Sequence, residues 1–175
     1  MSKFINPESI VAQMELKRGQ IVADFGCGAG FYSVAAAKTV GSEGTVYAVD
    51  ILPDRLAATQ STAQHAGLKN VRVLLADLEQ SVRDIDAVSC DAVVASNILH
   101  LTEKPDMVLR NAFYVLKTGG QLLVVEWKKG YSVFGPSQRA RLGREDIVQA
   151  AQACGFRLDQ ELESDRSHMA LLFVK

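Results

Sequence analysis

The chain has 175 residues and a formal net charge of −1 at pH 7, so we expect residues 1–175 to form a single domain with a sizeable core. The near-neutral charge supplies no positive field for nucleic acid or for an anionic membrane surface. No apolar run approaches the roughly 20 residues that a membrane-spanning helix needs, which predicts a cytoplasmic protein that does not enter a membrane.

The first half of the chain is predicted to alternate between helices and strands. Asn6, Pro7 and Glu8 are typical of a helix N-terminus, with a capping side chain, a proline in the first turn and an acid near the positive end of the helix dipole. The following elements are predicted at residues 20–25 (strand), 31–40 (helix), 45–50 (strand), 53–66 (helix) and 71–75 (strand). Strands joined by helices form right-handed crossovers, which predicts a parallel sheet.

The second half continues the alternation and then changes character. Its predicted elements are residues 91–96 (strand), 104–116 (helix), 121–126 (strand), 144–153 (helix), 156–162 (strand) and 168–174 (strand). Because only a short connection joins the last two strands, we expect them to form an antiparallel hairpin.

A glycine-dense turn follows the first strand, in the order Asp24-Phe25-Gly26-Cys27-Gly28-Ala29-Gly30. The dinucleotide fingerprint Gly-x-Gly-x-x-Gly fails in both frames, because its last position falls on Phe31 or on Ser33. The Asp24 carboxylate would repel a pyrophosphate but attract an amino group or a sulfonium. A nicotinamide-dependent oxidoreductase is therefore a disfavoured alternative.

This Asp-x-Gly-x-Gly-x-Gly pattern resembles the first motif of the class I S-adenosylmethionine-dependent methyltransferases. The resemblance implies an α/β fold, a Rossmann-like three-layer sandwich whose seven-stranded, mostly parallel sheet has an antiparallel last strand. A looser match, over residues 126–130 and 135–142, is similar to the ubiquinone and menaquinone biosynthesis methyltransferases.

Acids also end the second and third predicted strands, at Asp50 and Asp77, and in a parallel sheet such ends share one edge with Asp24. By the resemblance, Asp50 accepts hydrogen bonds from the ribose hydroxyls of S-adenosylmethionine, and Asp77 meets the adenine amino group. Asp24 anchors the methionine end. The remaining cofactor-binding residues implied by the family motifs are Gly26, Cys27, Gly28, Gly30, Ile51, Leu78, Ser96 and Asn97.

The candidate catalytic residues are His100, after the fourth strand, and Tyr32, after the glycine turn. For His100 the alternative is a structural histidine, and for Tyr32 it is packing against the core. Trp127 and Tyr131 either face a substrate or lie on a loop surface, while Arg139 and Arg141 either attract an anionic substrate or are solvated. The cysteines Cys27, Cys90 and Cys154 are predicted to be buried, reduced thiols, and their spacing favours no metal site.

The predicted function is S-adenosylmethionine-dependent methyl transfer to a small-molecule acceptor. The alternatives are a protein or RNA acceptor, although no nucleic-acid-binding feature is indicated, and a non-catalytic S-adenosylmethionine-binding module. The sequence leaves a homo-oligomer open.

Overall fold

A computed structural model describes residues 5–130 and 135–175. Its helices are α1 (Pro7–Ala12), α2 (Phe31–Val40), α3 (Pro53–His65), α4 (Pro105–Val115) and α5 (Arg144–Ala153), with a short 3₁₀ turn at Leu99–Leu101. Its strands are β1 (Ile21–Phe25), β2 (Thr45–Asp50), β3 (Val71–Leu75), β4 (Cys90–Ser96), β5 (Leu116–Trp127), β6 (Arg157–Leu162) and β7 (His168–Val174). Within these residues no helix is long and apolar enough to cross a membrane.

The seven strands form one sheet in the order β3-β2-β1-β4-β5-β7-β6. Strand β1 pairs in parallel with both β2 and β4, so the chain reverses its direction of winding between β1 and β4. Strand β7 is antiparallel to both of its neighbours. The predicted fold class and the terminal hairpin are confirmed, and the carboxyl ends of β1 and β4 open a crevice at the point where ligands bind in such sheets.

Helices cover both faces of the sheet and create two main cores. On one face α1 and α2 pack through Val11 and Ala36 against the even-numbered residues of β1 and β4. On the other face α4 and α5 pack through Leu109 and Ile147 against the odd-numbered residues. This division follows from the alternation of side chains along a strand, and it determines which polar groups meet at the edge of the sheet.

Several predicted elements are shifted by one residue at an end, and three differences from the sequence prediction have a structural reason. Strand β5 begins at Leu116 rather than Gln121, because Leu116 pairs with Cys90, and residues 117–120 form an irregularity before the pairing resumes at Gln121. Helix α4 consequently ends at Val115. Cys154 is only partly buried, unlike Cys27 and Cys90, since it follows the last turn of α5.

Candidate active site

A cavity of about 730 Å³ opens at the carboxyl ends of β1, β2 and β4. That volume is in the range of small-molecule sites. All of the predicted cofactor-binding residues except Gly30 lie in its wall: Asp24, Gly26, Cys27, Gly28, Asp50, Ile51, Asp77, Leu78, Ser96 and Asn97.

The glycine turn carries β1 into α2 with a backbone conformation that favours glycine. Gly26, Gly28 and Gly30 have φ angles of +73°, +56° and +84°. A Cβ on Gly30 would lie 2.9 Å from the Cα of Thr59, so this glycine allows α3 to approach rather than facing the cavity. A Cβ on Gly28 would meet nothing closer than 4.0 Å, which leaves its backbone open to a ligand.

Asp50 ends β2 with its carboxylate oriented by two backbone amides. The N–H of Gly28 donates to Oδ2 at 3.1 Å, and the N–H of Leu52 donates to Oδ1 at 3.0 Å. Each oxygen accepts one bond from the backbone and keeps a further lone pair. The side chain therefore offers two neighbouring acceptors, in the arrangement that a vicinal diol requires.

Asp24 is 2 % exposed and receives a hydrogen bond of 2.6 Å from the hydroxyl of Ser33. Burial raises the pKa of this carboxyl to about 6, an effect that the hydrogen bond from Ser33 opposes and the nearby charge of Asp50 reinforces. The group is thus ionised at neutral pH at a cost in free energy, and a cation in the cavity would offset that cost.

Apolar side chains near Asp50 and Asp77 form one end of the cavity. Ile51 is 57 % exposed and Leu52 is 53 % exposed, while Leu78 is buried. The Oδ1 atom of Asp77 accepts the N–H of Glu79 at 2.9 Å, which orients the carboxylate. A flat ring with a hydrogen-bond donor on its edge fits this combination of apolar surface and acceptor.

The opposite end is bounded by the residues that follow β4. Asn97 has φ +53°, a left-handed conformation that is uncommon outside glycine. Its N–H donates to the carbonyl of Val125, and its buried Oδ1 has no hydrogen-bond partner among the described residues. An unsatisfied buried oxygen in the cavity wall points to a ligand that donates a hydrogen bond there.

The two candidate catalytic residues occupy different places. His100 does not line the cavity: its Nδ1 lies 2.7 Å from Oε2 of the fully buried Glu126, and its backbone N–H donates to Oε1 at 3.3 Å. The pair ties the 3₁₀ turn to β5, which favours the structural alternative for this histidine. Tyr32 does line the cavity, and its buried hydroxyl has no hydrogen-bond partner among the described residues.

The degree of burial distinguishes between the alternatives that the sequence left open for the cysteine and arginine candidates. Burial raises the pKa of the Cys27 thiol to about 12, so the thiol is inert although it stands near a helix N-terminus. Arg141 is 3 % exposed, donates to the carbonyls of Lys128 and Pro136 and lies 5.5 Å from the ring centre of Trp127. It is neither solvated nor placed to attract substrates, whereas Arg139 is exposed. Tyr131 lies outside the described residues.

Two features were not predicted from the sequence. Phe31 and Leu101 line the cavity while being 65 % and 70 % exposed, so its mouth is apolar. His168 and Asp165 form a buried pair with Nδ1 of the imidazole 3.0 Å from Oδ1 of the carboxylate. The spacing Asp-x-x-His was the available signal for this pair.

Within residues 5–130 and 135–175 no group of three His, Cys, Asp or Glu residues could hold a metal ion.

The comparisons with known proteins agree with this geometry. A family model described as a methyltransferase domain matches residues 16–160. The ubiquinone/menaquinone biosynthesis C-methyltransferase UbiE of Marinomonas is 31 % identical over 68 % of this chain and 47 % of its own length. The probable cobalt-precorrin-6B C(15)-methyltransferase of Methanosarcina mazei is 32 % identical over 54 % of the chain and 55 % of its own length. The chain thus spans about half the length of these curated relatives.

Solved structures show the same fold. A methyltransferase from Aquifex aeolicus that depends on S-adenosylmethionine superimposes with a TM-score of 0.90 at 25 % identity, covering 99 % of this chain and 92 % of that one. The [4+2]-cyclase SpnF superimposes with a TM-score of 0.81 at 18 % identity, covering 97 % and 80 %. Because a cyclase shares the architecture, the reaction has to be argued from the site itself. The family match and the glycine turn together show that the chain belongs to the class I S-adenosylmethionine-dependent methyltransferases.

Proposed function

We propose that the protein transfers the methyl group of S-adenosylmethionine to a small-molecule acceptor. The observation that carries the proposal is Asp50, whose two backbone-oriented oxygens face the cavity beside the open backbone of Gly28. Such a carboxylate suits the two ribose hydroxyls. The carboxylate stands in the cavity wall together with Asp24 and Asp77, and this intact set of acids argues against a module that has lost its ligand.

The residues in the cavity fit S-adenosylmethionine along its whole length. Asp77, Ile51 and Leu78 would hold the adenine, while Asp24 and the unsatisfied oxygen of Asn97 would hold the cationic methionine end. When bound, the sulfonium supplies a methyl group that is already activated toward a nucleophile. The protein then needs to align the acceptor and exclude water, effects that together contribute about 7–11 kcal/mol to lowering a barrier.

A small-molecule acceptor is supported by the apolar mouth of the cavity. The aromatic ring of Phe31 and the branched side chain of Leu101 are exposed and lie in the cavity wall. They would cover an apolar substrate and keep water from the reacting atoms. The relatives UbiE and aklanonic acid methyltransferase are named for small-molecule reactions, which supports the same class.

Calorimetry with S-adenosylmethionine, S-adenosylhomocysteine and NAD tests the donor. We expect both sulfur nucleotides to bind and NAD to give no heat. Asp50→Ala should weaken both by about 10- to 150-fold, since a hydrogen bond to a charged group contributes about 1.5–3 kcal/mol. The matched control is the exposed Asp54→Ala, which should bind normally. Binding of NAD alone, or an unchanged affinity in a folded Asp50→Ala protein, would contradict the assignment.

Transfer of a labelled methyl group into cell extracts tests the acceptor. The extract is separated into metabolite, protein and RNA fractions after incubation with the protein and S-adenosyl-[methyl-³H]methionine. We expect the label in the metabolite fraction, and much less of it when Asp50→Ala replaces the wild type at a donor concentration near the wild-type Kd. Label confined to protein or RNA would refute the small-molecule proposal. Tight binding without any transfer would instead favour a non-catalytic module.

A further inference from the structure

Tyr32 brings an unpaired hydroxyl to the wall of the cavity. The side chain is 8 % exposed, it lines the cavity, and its buried oxygen has no hydrogen-bond partner among the described residues. Buried polar atoms nearly always have a partner. The ring belongs to the core that includes Ile10 and Val11, where a phenylalanine would supply the same apolar ring. Packing therefore explains the ring but not the hydroxyl, and the unpaired oxygen points to a ligand.

The hydroxyl of Tyr32 keeps its proton at neutral pH. Burial raises the pKa of this phenol by more than the nearby hydroxyl of Ser96 lowers it. A protonated phenol can donate a hydrogen bond, and the strongest such bonds are made to ionised oxygen acceptors such as carboxylates. The ligand group that suits this hydroxyl best is therefore an anionic oxygen.

Helix α2, in which Tyr32 is the second residue, presents an uncapped N-terminus at the same place. The helix has 10 residues, its N-cap Gly30 supplies no side chain, and its first turn contains no acidic residue. The N–H of Val34 is the first to donate within the helix, to the carbonyl of Gly30 at 2.8 Å. The N–H groups before Val34 have no acceptor inside the helix, and they carry the positive end of its dipole. This terminus is thus suited to an anion.

Asp24 lies beside this terminus and offers the opposite polarity. Its Oδ2 accepts a hydrogen bond of 2.6 Å from the hydroxyl of Ser33, the third residue of α2. The carboxylate is therefore held at the first turn of the helix that also carries Tyr32, and both side chains line the cavity. A second carboxylate placed on Asp24 would be repelled, whereas an ammonium group would be attracted. The site combines an acceptor for a cation with donors for an anion.

An α-amino acid group is the complement of this arrangement, because its ammonium and its carboxylate stand on one carbon. The carboxylate finds no basic side chain at the α2 end of the cavity. Arg55 is the one basic residue among the described residues of the wall, and it lies in the first turn of α3, beyond Asp50 and Leu52 on the side proposed for the adenosine. A carboxylate beside α2 has to be bound by neutral donors.

We propose that the N-terminus of α2 and the hydroxyl of Tyr32 bind the α-carboxylate of S-adenosylmethionine, while Asp24 accepts its ammonium group. The carboxylate supplies the acceptor that the hydroxyl of Tyr32 lacks, and it gives α2 the anion that its own first turn does not provide. The inference rests on the proposed function and deepens it. Tyr32 is a specificity-determining residue, which selects nucleotides that carry the whole methionine moiety over analogues without a carboxylate.

Calorimetry with two ligands that differ only in the carboxylate provides the test. The probes are S-adenosylhomocysteine and S-adenosyl-3-thiopropylamine, which keeps the adenosine, the thioether and the amino group but has a hydrogen in place of the carboxylate. We expect Tyr32→Phe to weaken binding of S-adenosylhomocysteine by about 10-fold or more and binding of the amine by less than about twofold, because only the former loses a hydrogen bond to a charged group. Tyr114→Phe is the matched control, since Tyr114 is 51 % exposed, and it should leave both affinities unchanged.

The pattern of binding separates the possible failures. A wild type that binds neither compound would refute the proposed function itself. If the wild type binds S-adenosylhomocysteine, an unchanged affinity in Tyr32→Phe, or an equal loss for both ligands, would overturn only the assignment of Tyr32. Thermal unfolding of the ligand-free proteins adds a folding control, and Tyr32→Phe should be at least as stable as the wild type because it removes an unpaired buried hydroxyl. A less stable variant would mean that the hydroxyl already has a partner, which would also overturn the assignment.

Amide signals in ¹H–¹⁵N NMR spectra of the wild type test the helix terminus separately. At saturation with each ligand, we expect the signals of Phe31 and Tyr32 to shift more with S-adenosylhomocysteine than with S-adenosyl-3-thiopropylamine, because only the former brings an anion to these N–H groups. The amide of Lys38, in the last turn of α2, is the control and should respond alike to both ligands. Equal shifts of Phe31 and Tyr32 with the two ligands would overturn the role of the helix terminus.

Discussion

Asp24→Asn should stabilise the ligand-free protein at neutral pH while weakening its affinity for S-adenosylmethionine. The wild-type carboxylate is buried, and its pKa is raised from 3.8 to about 6. A raised acidic pKa means that the folded protein binds more protons than the unfolded chain between these values. The free energy of unfolding therefore falls as pH rises through this range, and the loss persists above it.

The size of the effect follows from the shift. About two pKa units correspond to about 3 kcal/mol at 1.36 kcal/mol for each unit. Asparagine is nearly the same shape, keeps an oxygen to accept the hydroxyl proton of Ser33, and does not ionise. The variant should accordingly match the wild type near pH 4 and exceed its stability by up to about 3 kcal/mol near pH 7. The same missing charge should weaken binding of the cationic ligand at least tenfold, or by about 1.4 kcal/mol.

Urea denaturation of the ligand-free protein at several pH values, followed by circular dichroism, measures this difference, and calorimetry measures the affinity. The exposed Asp84→Asn is the control and should leave both the pH profile and the affinity unchanged. Suppose that the Asp24→Asn protein were less stable than the wild type at neutral pH and that its free energy of unfolding changed with pH as the wild type's does. The ionised Asp24 carboxylate would then not be a destabilising group whose cost a bound cation offsets. The reasoning would then be refuted.

Three further outcomes can be measured on the same protein. Gly30→Ala should cost about 1–3 kcal/mol more than Gly67→Ala in urea denaturation, because both have positive φ but only the Gly30 Cβ would clash, at 2.9 Å; equal losses would contradict this. A thiol reagent should modify Cys154 first, since it is partly exposed while burial raises the pKa of Cys27 to about 12; faster labelling of Cys27 would be inconsistent with the structure. Glu126→Gln should lower the free energy of unfolding by about 1–3 kcal/mol, because the fully buried carboxylate accepts two hydrogen bonds from its histidine partner; a change near zero would show that the pair contributes little.

The sequence was sufficient for features that depend on neighbouring residues. Helix α2 and strand β2 have the predicted bounds, because apolar periodicity and the flanking glycines act within a short window. The glycine turn likewise carries its own conformational requirement, with positive φ at Gly28. The convergence of Asp24 and Asp50 followed from one topological rule, that the ends of parallel strands share an edge.

Tertiary structure decided the features that join distant parts of the chain. Whether His100 faces the cavity depended on Glu126, 26 residues away, and the burial of Arg141 depended on Trp127. His168 and Trp127 come into contact only because β7 pairs with β5. Local sequence sets backbone preferences within a few residues, whereas burial and hydrogen-bond satisfaction arise from contacts across the sheet that no short window contains.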